Sequence, residues 1–386
     1  MAANNIIRHS SKQAFMDCPM KYHLRYVKNI ETPTTSKALQ FGSAVHEALD
    51  CIYRNILTIQ KHPTADVQLL EHDFAKDARH AIRNYAEKIE AEIMAEEEND
   101  PFVNTEQAIA QLDEQTNLAM GVVAHYCEQK LPQDIAQYEV LDIEGKLQAP
   151  ILTPDGTRAK AYYSGTYDLI VREKRTGLVW LMEHKTTAMG VQDMLNEYLG
   201  QHQHVGYLWL VEYNMKRDPE YAAKIGKKPV GVIYNIIRKK VPSQPHTIQC
   251  KKCKGSGDIA GEPCETCNGT GIGGISKKAC DTTPQVFADF IEKHEHLHDD
   301  EYGKERYQEL VSANTMDRFF ARGKTFVTEQ TMANWMQDTY AIHRLIGKML
   351  KGNSRFYRNY KNCSQFGSMC QMKQYCEDPD MTAGSK

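Results

Sequence analysis

No stretch of this chain is apolar enough to cross a membrane. The longest central apolar run, Val205 to Val211, is far shorter than the roughly 20 residues a helical span needs. An excess of one charge is also missing. Against 50 Asp and Glu there are 47 Lys and Arg, a net charge of -3, which excludes a uniformly basic surface but leaves room for a local basic groove. The opening MAANNIIRHSSKQ lacks the basic-then-apolar pattern of a secretory leader, so the expected location is the cytoplasm. What is present, 41% hydrophobic and 9% aromatic residues over 386 positions, excludes a disordered chain and supports one large or two medium cores.

Cysteine is plentiful, with eleven in all. Cys250, Cys253, Cys264 and Cys267 form one cluster and Cys363, Cys370 and Cys376 another, with Cys18 alone near the start. In a reducing compartment, clustered cysteines point to metal ligation before disulfides.

The chain reads as helical over residues 1–138. Ser10 or Ser11 is placed to cap a helix through KQAFMDCPMKYHLRY, and a second begins near Gly42 with Val45, Leu49, Ile52 and Ile56 at helical spacing. Residues 139–241 change pattern. YEVLDIEGKLQAPIL, YYSGTYDLIV and LVWLMEHKTT read as strands, the last two joined by REKRTG; a helix from Val191 to Tyr213 and a strand in PVGVIYNIIRKK follow. Residues 242–280 form a Gly-, Lys- and Cys-rich insert, and 281–386 return to helix.

Asp168, Glu183 and Lys185 carry the central chemical signal. Strand alternation places Glu183 and Lys185 on one face, and a hairpin turning near Arg175 sets Asp168 opposite Met182 or Glu183. Two acids and a lysine at one spot suit phosphodiester hydrolysis: acidic oxygens bind Mg²⁺ or Mn²⁺, and the amine orients water and offsets developing charge. An isolated D…ExK is more often an edge-strand salt bridge between exposed Glu183 and Lys185. The apolar VWLM preceding Glu183 sets the acid at the end of a buried strand instead.

These residues resemble the PD-(D/E)XK nuclease superfamily. Within it they are similar to the RecB-type branch, which includes AddB, phage RecB-like exonucleases and CRISPR-associated iron-sulfur nucleases. The branch pattern GxxD, D/ExK and QxxxY is met by Gly165 to Asp168, Glu183 to Lys185, and Gln203 to Tyr207, with Gln201 a weaker substitute for Gln203. Gly42-Ser43-Ala44-Val45-His46 fits its upstream Gly-x-x-x-His helix, and Glu144 is a weaker match to its first-strand acid. The resemblance implies an α/β fold: a restriction-endonuclease-like mixed central sheet flanked by helices, with helical N- and C-terminal regions. It implies His46, Asp168, Glu183 and the His184 carbonyl as metal ligands. Lys185 would position water, and Gln203 and Tyr207 would position substrate. The implied activity is a Mg²⁺- or Mn²⁺-dependent DNA exonuclease leaving 5′-phosphates, acting in recombination, repair or phage DNA processing inside a bacterial or phage-infected cell. A non-cleaving DNA- or partner-binding module on the same fold is the alternative. No GxxxxGK(S/T) loop is present, so unwinding would need a helicase or recombinase partner.

One cysteine before this core and three after it, Cys18 with Cys363, Cys370 and Cys376, resemble the iron-sulfur staple of AddB and its relatives, which implies a 4Fe-4S cluster. The six residues between Cys363 and Cys370 depart from the family's usual CxxC; a zinc site or free thiols is the competing reading. CKKCKGSG and CETCNGTG resemble two units of a DnaJ-type zinc domain, implying one structural Zn²⁺ on Cys250, Cys253, Cys264 and Cys267. The J-domain tripeptide HPD is missing, which disfavours a co-chaperone. The knuckle is either a DNA- or partner-contact element or plain structural support. No acid interrupts residues 221–254, where Arg238, Lys239, Lys240, Lys251, Lys252 and Lys254 form a candidate DNA-binding run.

Overall fold

Apolar residues at helical spacing build the N-terminal layer. The structure, a computed structural model, describes residues 6–30, 37–62, 64–99, 104–200, 203–298, 301–312, 318–365 and 368–377. Strand β1 (Ile6–Ile7) leads into α1 (His9–Asp17). This helix starts before the expected serine caps: the Ser11 hydroxyl bonds back to the Arg8 backbone at 3.0 Å. It also stops early, because Pro19 cannot continue its hydrogen-bond ladder. Cys18 is extended there, and α2 (Pro19–Tyr22) and a π turn (His23–Val27) follow.

Helix α3 (Lys37–Ile59) buries Phe41, Val45, Leu49, Ile52 and Ile56 along one stripe. It packs with α5 (Phe74–Asn99) and α6 (Thr105–Gln129); α4 (Ala65–Glu71) and α7 (Leu131–Gln137) complete the layer. One buried carboxylate pins three of these helices. Asp134 on α7 accepts hydrogen bonds at 2.7 Å from Tyr53 on α3 and from Tyr126 on α6.

The sheet is mixed. Its order is β1-β3-β4-β5-β10, with β2 on β3. Strands β2 (Tyr138–Leu152), β3 (Arg158–Glu173) and β4 (Val179–Thr187) are antiparallel neighbours. The expected helix from 191 to 213 divides into α8 (Val191–Gly200) and α9 (Gln203–Met215), the first ending at a glycine. After α10 (Pro219–Ile225) comes β5 (Gly231–Arg238). Val230 N–H donates to Val179 and Lys239 N–H to Thr187, so β5 runs parallel to β4, as a helical crossover requires. Val179 to Met182 and Val232 to Ile237 are buried without alternation, the signature of strands covered on both faces.

Residues 1–184, 198–234 and 323–386 form one unit, and 185–197 with 235–322 a second. In the second, β6 (Thr247–Gln249) pairs with β9 (Ile272–Ile275) around the small hairpin β7 (Asp258–Ile259) and β8 (Glu262–Pro263). Helices α11 (Pro284–Lys293) and α12 (Glu301–Ser312) supply Phe287, Phe290 and Leu310 to its own core. Residues 281–386, expected to return to helix, do so only in part, because β10 (Phe320–Phe326) joins the sheet edge. Its short FARGKTF segment has no long apolar run to announce it. In the first unit α13 (Glu329–Leu350) precedes β11 (Ser364–Gln365), β12 (Ser368–Met369) and α14 (Lys373–Glu377).

Removing the carboxylate of Asp134, Asp134→Ala, takes away the shared acceptor of two buried phenols and leaves them only each other, at 2.9 Å. It should lower unfolding free energy by about 2–4 kcal/mol, read from the denaturant midpoint; an unchanged midpoint would show that the three helices do not depend on this bond set.

Candidate metal and catalytic site

Three side chains from separate elements converge in the first unit. His46 on α3, Glu144 on β2 and Asp168 on β3 present ligand atoms within 4.8 Å of one another. The β2–β3 ladder accounts for two of them, since Ile143 pairs with Leu169 and Gly145 with Tyr167, leaving Glu144 and Asp168 abreast. Glu144 has φ 49, a left-handed conformation rarely tolerated outside glycine and Asn-like residues, here at the position that turns its carboxylate toward the group. His46 Nδ1 lies 3.5 Å from an Asp168 oxygen. The other Asp168 oxygen accepts the His184 backbone N–H at 2.7 Å. One imidazole and two carboxylates make a donor set suited to a divalent cation. Burial, followed by the charge of Asp168, pushes the Glu144 carboxyl up to about 7.

Glu183 stands outside that close trio. The β3–β4 ladder reaches Leu169–Met182, so Asp168 and Glu183 leave it at adjoining positions. Glu183 is 2% exposed. Burial first, and then the Glu183 carboxylate, raises the phenols of Tyr163, Tyr207 and Tyr234 above their ordinary range, which keeps all three protonated as donors. Gln203 donates to the Tyr207 hydroxyl at 2.9 Å across one helical turn. The Tyr207 ring lies over Gly165, where a Cβ would come within 2.6 Å of it, so the first glycine of GxxD is a packing requirement of the last tyrosine of QxxxY. The His184 ring stacks on Tyr53, with centroids 5.4 Å apart and planes 18° apart. The sequence reading missed Tyr53 as a support for this strand. The available signal was its spacing of seven from His46, which shares a helix face with it. Lys185 is half-buried on β4, in the segment belonging to the second unit. Gln201 lies outside the described residues.

Two cysteine groups differ in spacing. Cys250, Cys253, Cys264 and Cys267 are buried, with sulfur atoms within 4.8 Å. Cys250 and Cys264 stand 3.9 Å apart, Cys253 and Cys267 3.7 Å, close to the roughly 3.8 Å edge of a tetrahedron with 2.3 Å Zn–S bonds. In each CxxCxGxG unit the second glycine donates its N–H to the second cysteine, Gly257 to Cys253 at 3.4 Å and Gly271 to Cys267 at 3.3 Å. Both glycines have positive φ, so the motif's spacing follows from the turn each thiolate needs. In the first unit Cys18, Cys363, Cys370 and Cys376 line a cavity of about 350 Å³. Asn359 N–H points at Cys18 Sγ at 3.3 Å and Arg358 Nε at Cys376 Sγ at 3.1 Å.

Three of the six residues in the expected basic run are paired with acids. Arg238 and Lys240 both reach Asp281, at 3.2 and 2.6 Å, and Lys252 reaches Glu265 at 3.5 Å. Lys239 is half-buried, while Lys251 and Lys254 are exposed.

A family model described as the PD-(D/E)XK nuclease superfamily matches residues 9–377. Among curated proteins none matches.

The raised Glu144 carboxyl makes a stability prediction with a definite sign. Without Mg²⁺ or Mn²⁺, its buried charge destabilises the fold; that cost is absent below about pH 4.5, grows as pH rises, and is complete above about 7. Glu144→Gln should therefore melt higher than wild type at pH 8 in the absence of Mg²⁺ and Mn²⁺, and equally at low pH. Adding either cation should reverse the order. Equal melting temperatures at pH 8 would remove the premise.

Proposed function

The chain belongs to the PD-(D/E)XK nuclease superfamily, whose membership implies metal-dependent phosphodiester hydrolysis, and from that premise we propose that it is a DNA exonuclease of the RecB-like iron-sulfur branch. The observation that carries the site is the convergence of His46, Glu144 and Asp168 at the end of the hairpin that also bears Glu183. His46, Asp168, Glu183 and the His184 carbonyl are the proposed metal ligands, with Glu144 added by its position beside Asp168. A divalent cation held there would polarise the scissile phosphate and acidify a water molecule.

The remaining roles fall to the chain itself. The His184 N–H fixes one Asp168 oxygen, which leaves the other turned toward His46. Lys185 orients the attacking water and offsets charge on the phosphate in the transition state. Tyr207, kept protonated by burial and braced by Gln203, donates a hydrogen bond to the substrate backbone. Cleavage of the P–O3′ bond leaves a 5′-phosphate. Recombination, repair or phage DNA processing is the setting proposed, with a separate helicase or recombinase supplying unwinding.

The knuckle is proposed to hold one structural Zn²⁺, on the strength of its sulfur spacing. The other four cysteines line one cavity without forming a close ligand group of the knuckle's kind among the described residues, and this favours a 4Fe-4S cluster over a single ion.

Two measurements test these readings. Digestion of end-labelled linear DNA and of circular DNA, with Mg²⁺ or Mn²⁺, should show end-dependent cleavage that Glu183→Ala and Lys185→Ala each reduce by about 100-fold or more. Cleavage of neither DNA by the wild type would leave the non-cleaving binding module, and full activity in both variants would refute the residue roles. Metal analysis of anaerobically purified protein should find one zinc per chain, lost in Cys253→Ser, and four irons, lost in Cys370→Ser. A colourless, iron-free wild type would dismiss the cluster.

A further inference from the structure

An acid-free stretch lies between Asp338 and Glu377. Arg344, Lys348 and Lys351 stand four and three residues apart at the end of α13, so they share a face, and all three are exposed. Arg355 and Lys361 extend the positive charge along the segment that follows, and both are exposed. Among the described residues none of these five cations is paired with an acid. In the 221–254 run, by contrast, Lys224, Lys228, Arg238, Lys240 and Lys252 are all paired.

The segment from 355 to 361 is clamped from below. Phe356 is buried against the His23 ring, with centroids 4.5 Å apart. The Tyr357 carbonyl accepts the Met20 N–H at 3.1 Å, and Asn359 donates to the Asp17 carbonyl at 2.9 Å. Arg358 turns inward to Cys376, its guanidinium donating to the sulfur and the carbonyl. The side chains left pointing outward include two tyrosines, Tyr357 at 58% and Tyr360 at 76% exposure. Tyrosine is intermediate in burial; here a backbone anchored at three points carries two exposed rings, with Arg355 and Lys361 flanking them in sequence.

We propose that the end of α13 and the 355–361 segment form a docking surface for single-stranded DNA, with bases stacked on Tyr357 and Tyr360 and phosphates over the flanking cations. Taking DNA as the polymer rests on the nuclease reading above; the surface itself does not. Ring faces can receive only bases outside a duplex, whereas duplex DNA would offer this surface phosphates alone. The single strand is therefore the form that uses both features.

Fluorescence anisotropy tests this without cleavage. In an Asp168→Asn background, labelled oligothymidylate and a duplex of equal length are titrated with protein. Replacing both rings, Tyr357→Ala with Tyr360→Ala, should weaken single-strand binding by about 30-fold or more and leave duplex binding nearly unchanged. The corresponding Phe pair keeps the ring faces and should bind like the parent. Lys348→Ala with Lys351→Ala should reduce the slope of log Kd against log salt by about 1.4 for the single strand. Unchanged affinity in the Ala pair, or equal loss for duplex, overturns the proposal, as does loss in the Phe pair equal to that in the Ala pair. Cleavage by wild type alongside normal binding by the Ala pair would discard the surface and keep the nuclease; loss of binding by the Ala pair in a wild type that cleaves nothing would do the reverse.

Discussion

Two carboxylates, Glu144 and Asp168, sit abreast on neighbouring strands beside one imidazole. Their mutual repulsion and desolvation oppose folding, as the raised Glu144 carboxyl shows, so the rest of the structure must hold them there. The β2–β3 ladder fixes the spacing, the left-handed turn at Glu144 aims one acid, and the His184 N–H anchors the other. Such stored cost is what a divalent cation could relieve on binding, and this is the physical basis for proposing the trio as the metal site.

Support for this group comes from the helical layer as much as from the sheet. Helix α3 delivers His46 to the trio and, two turns on, Tyr53 to the face of His184. The Tyr53 hydroxyl is in turn held by Asp134, which also receives Tyr126. A path of direct contacts therefore links three helices to the dipeptide Glu183–His184. On the other side Gly165 admits the Tyr207 ring against β3, which couples the strand that carries Asp168 to the helix that carries Gln203. Motif residues that look unrelated in the sequence are mutual packing partners.

Much of this was legible in the sequence because the motifs combine local spacing with a strong hydrophobic pattern. The three core strands, the hairpin and the cysteine knuckle all follow from residues close together in the chain. The elements that escaped lack such signals. β1 has two residues and β10 seven; each is defined by pairing with a remote strand, which no local periodicity records. Pro19 was visible, but its effect in breaking α1 was outweighed by the apolar pattern around it. Glu144 matched only weakly because its importance lies in a backbone twist. Tyr163 and Tyr234 carry no local signal in the sequence, and their nearness to Glu183 shows only in the fold. The lysines before the knuckle read as free charge because their acidic partners, Asp281 above all, lie far along the chain.

The meeting of residues 17–23 with 356–376 has a consequence for how the protein is made. Asn362 bonds to the carbonyl of Asp17 across 345 positions, and Leu24, Ile30 and Met372 form one small core. During synthesis residues 17–30 precede their partners near 356–376, so these contacts cannot form until the later segment has been made. Contacts this far apart in sequence carry a large loop-closure cost, which falls once the intervening chain is compact.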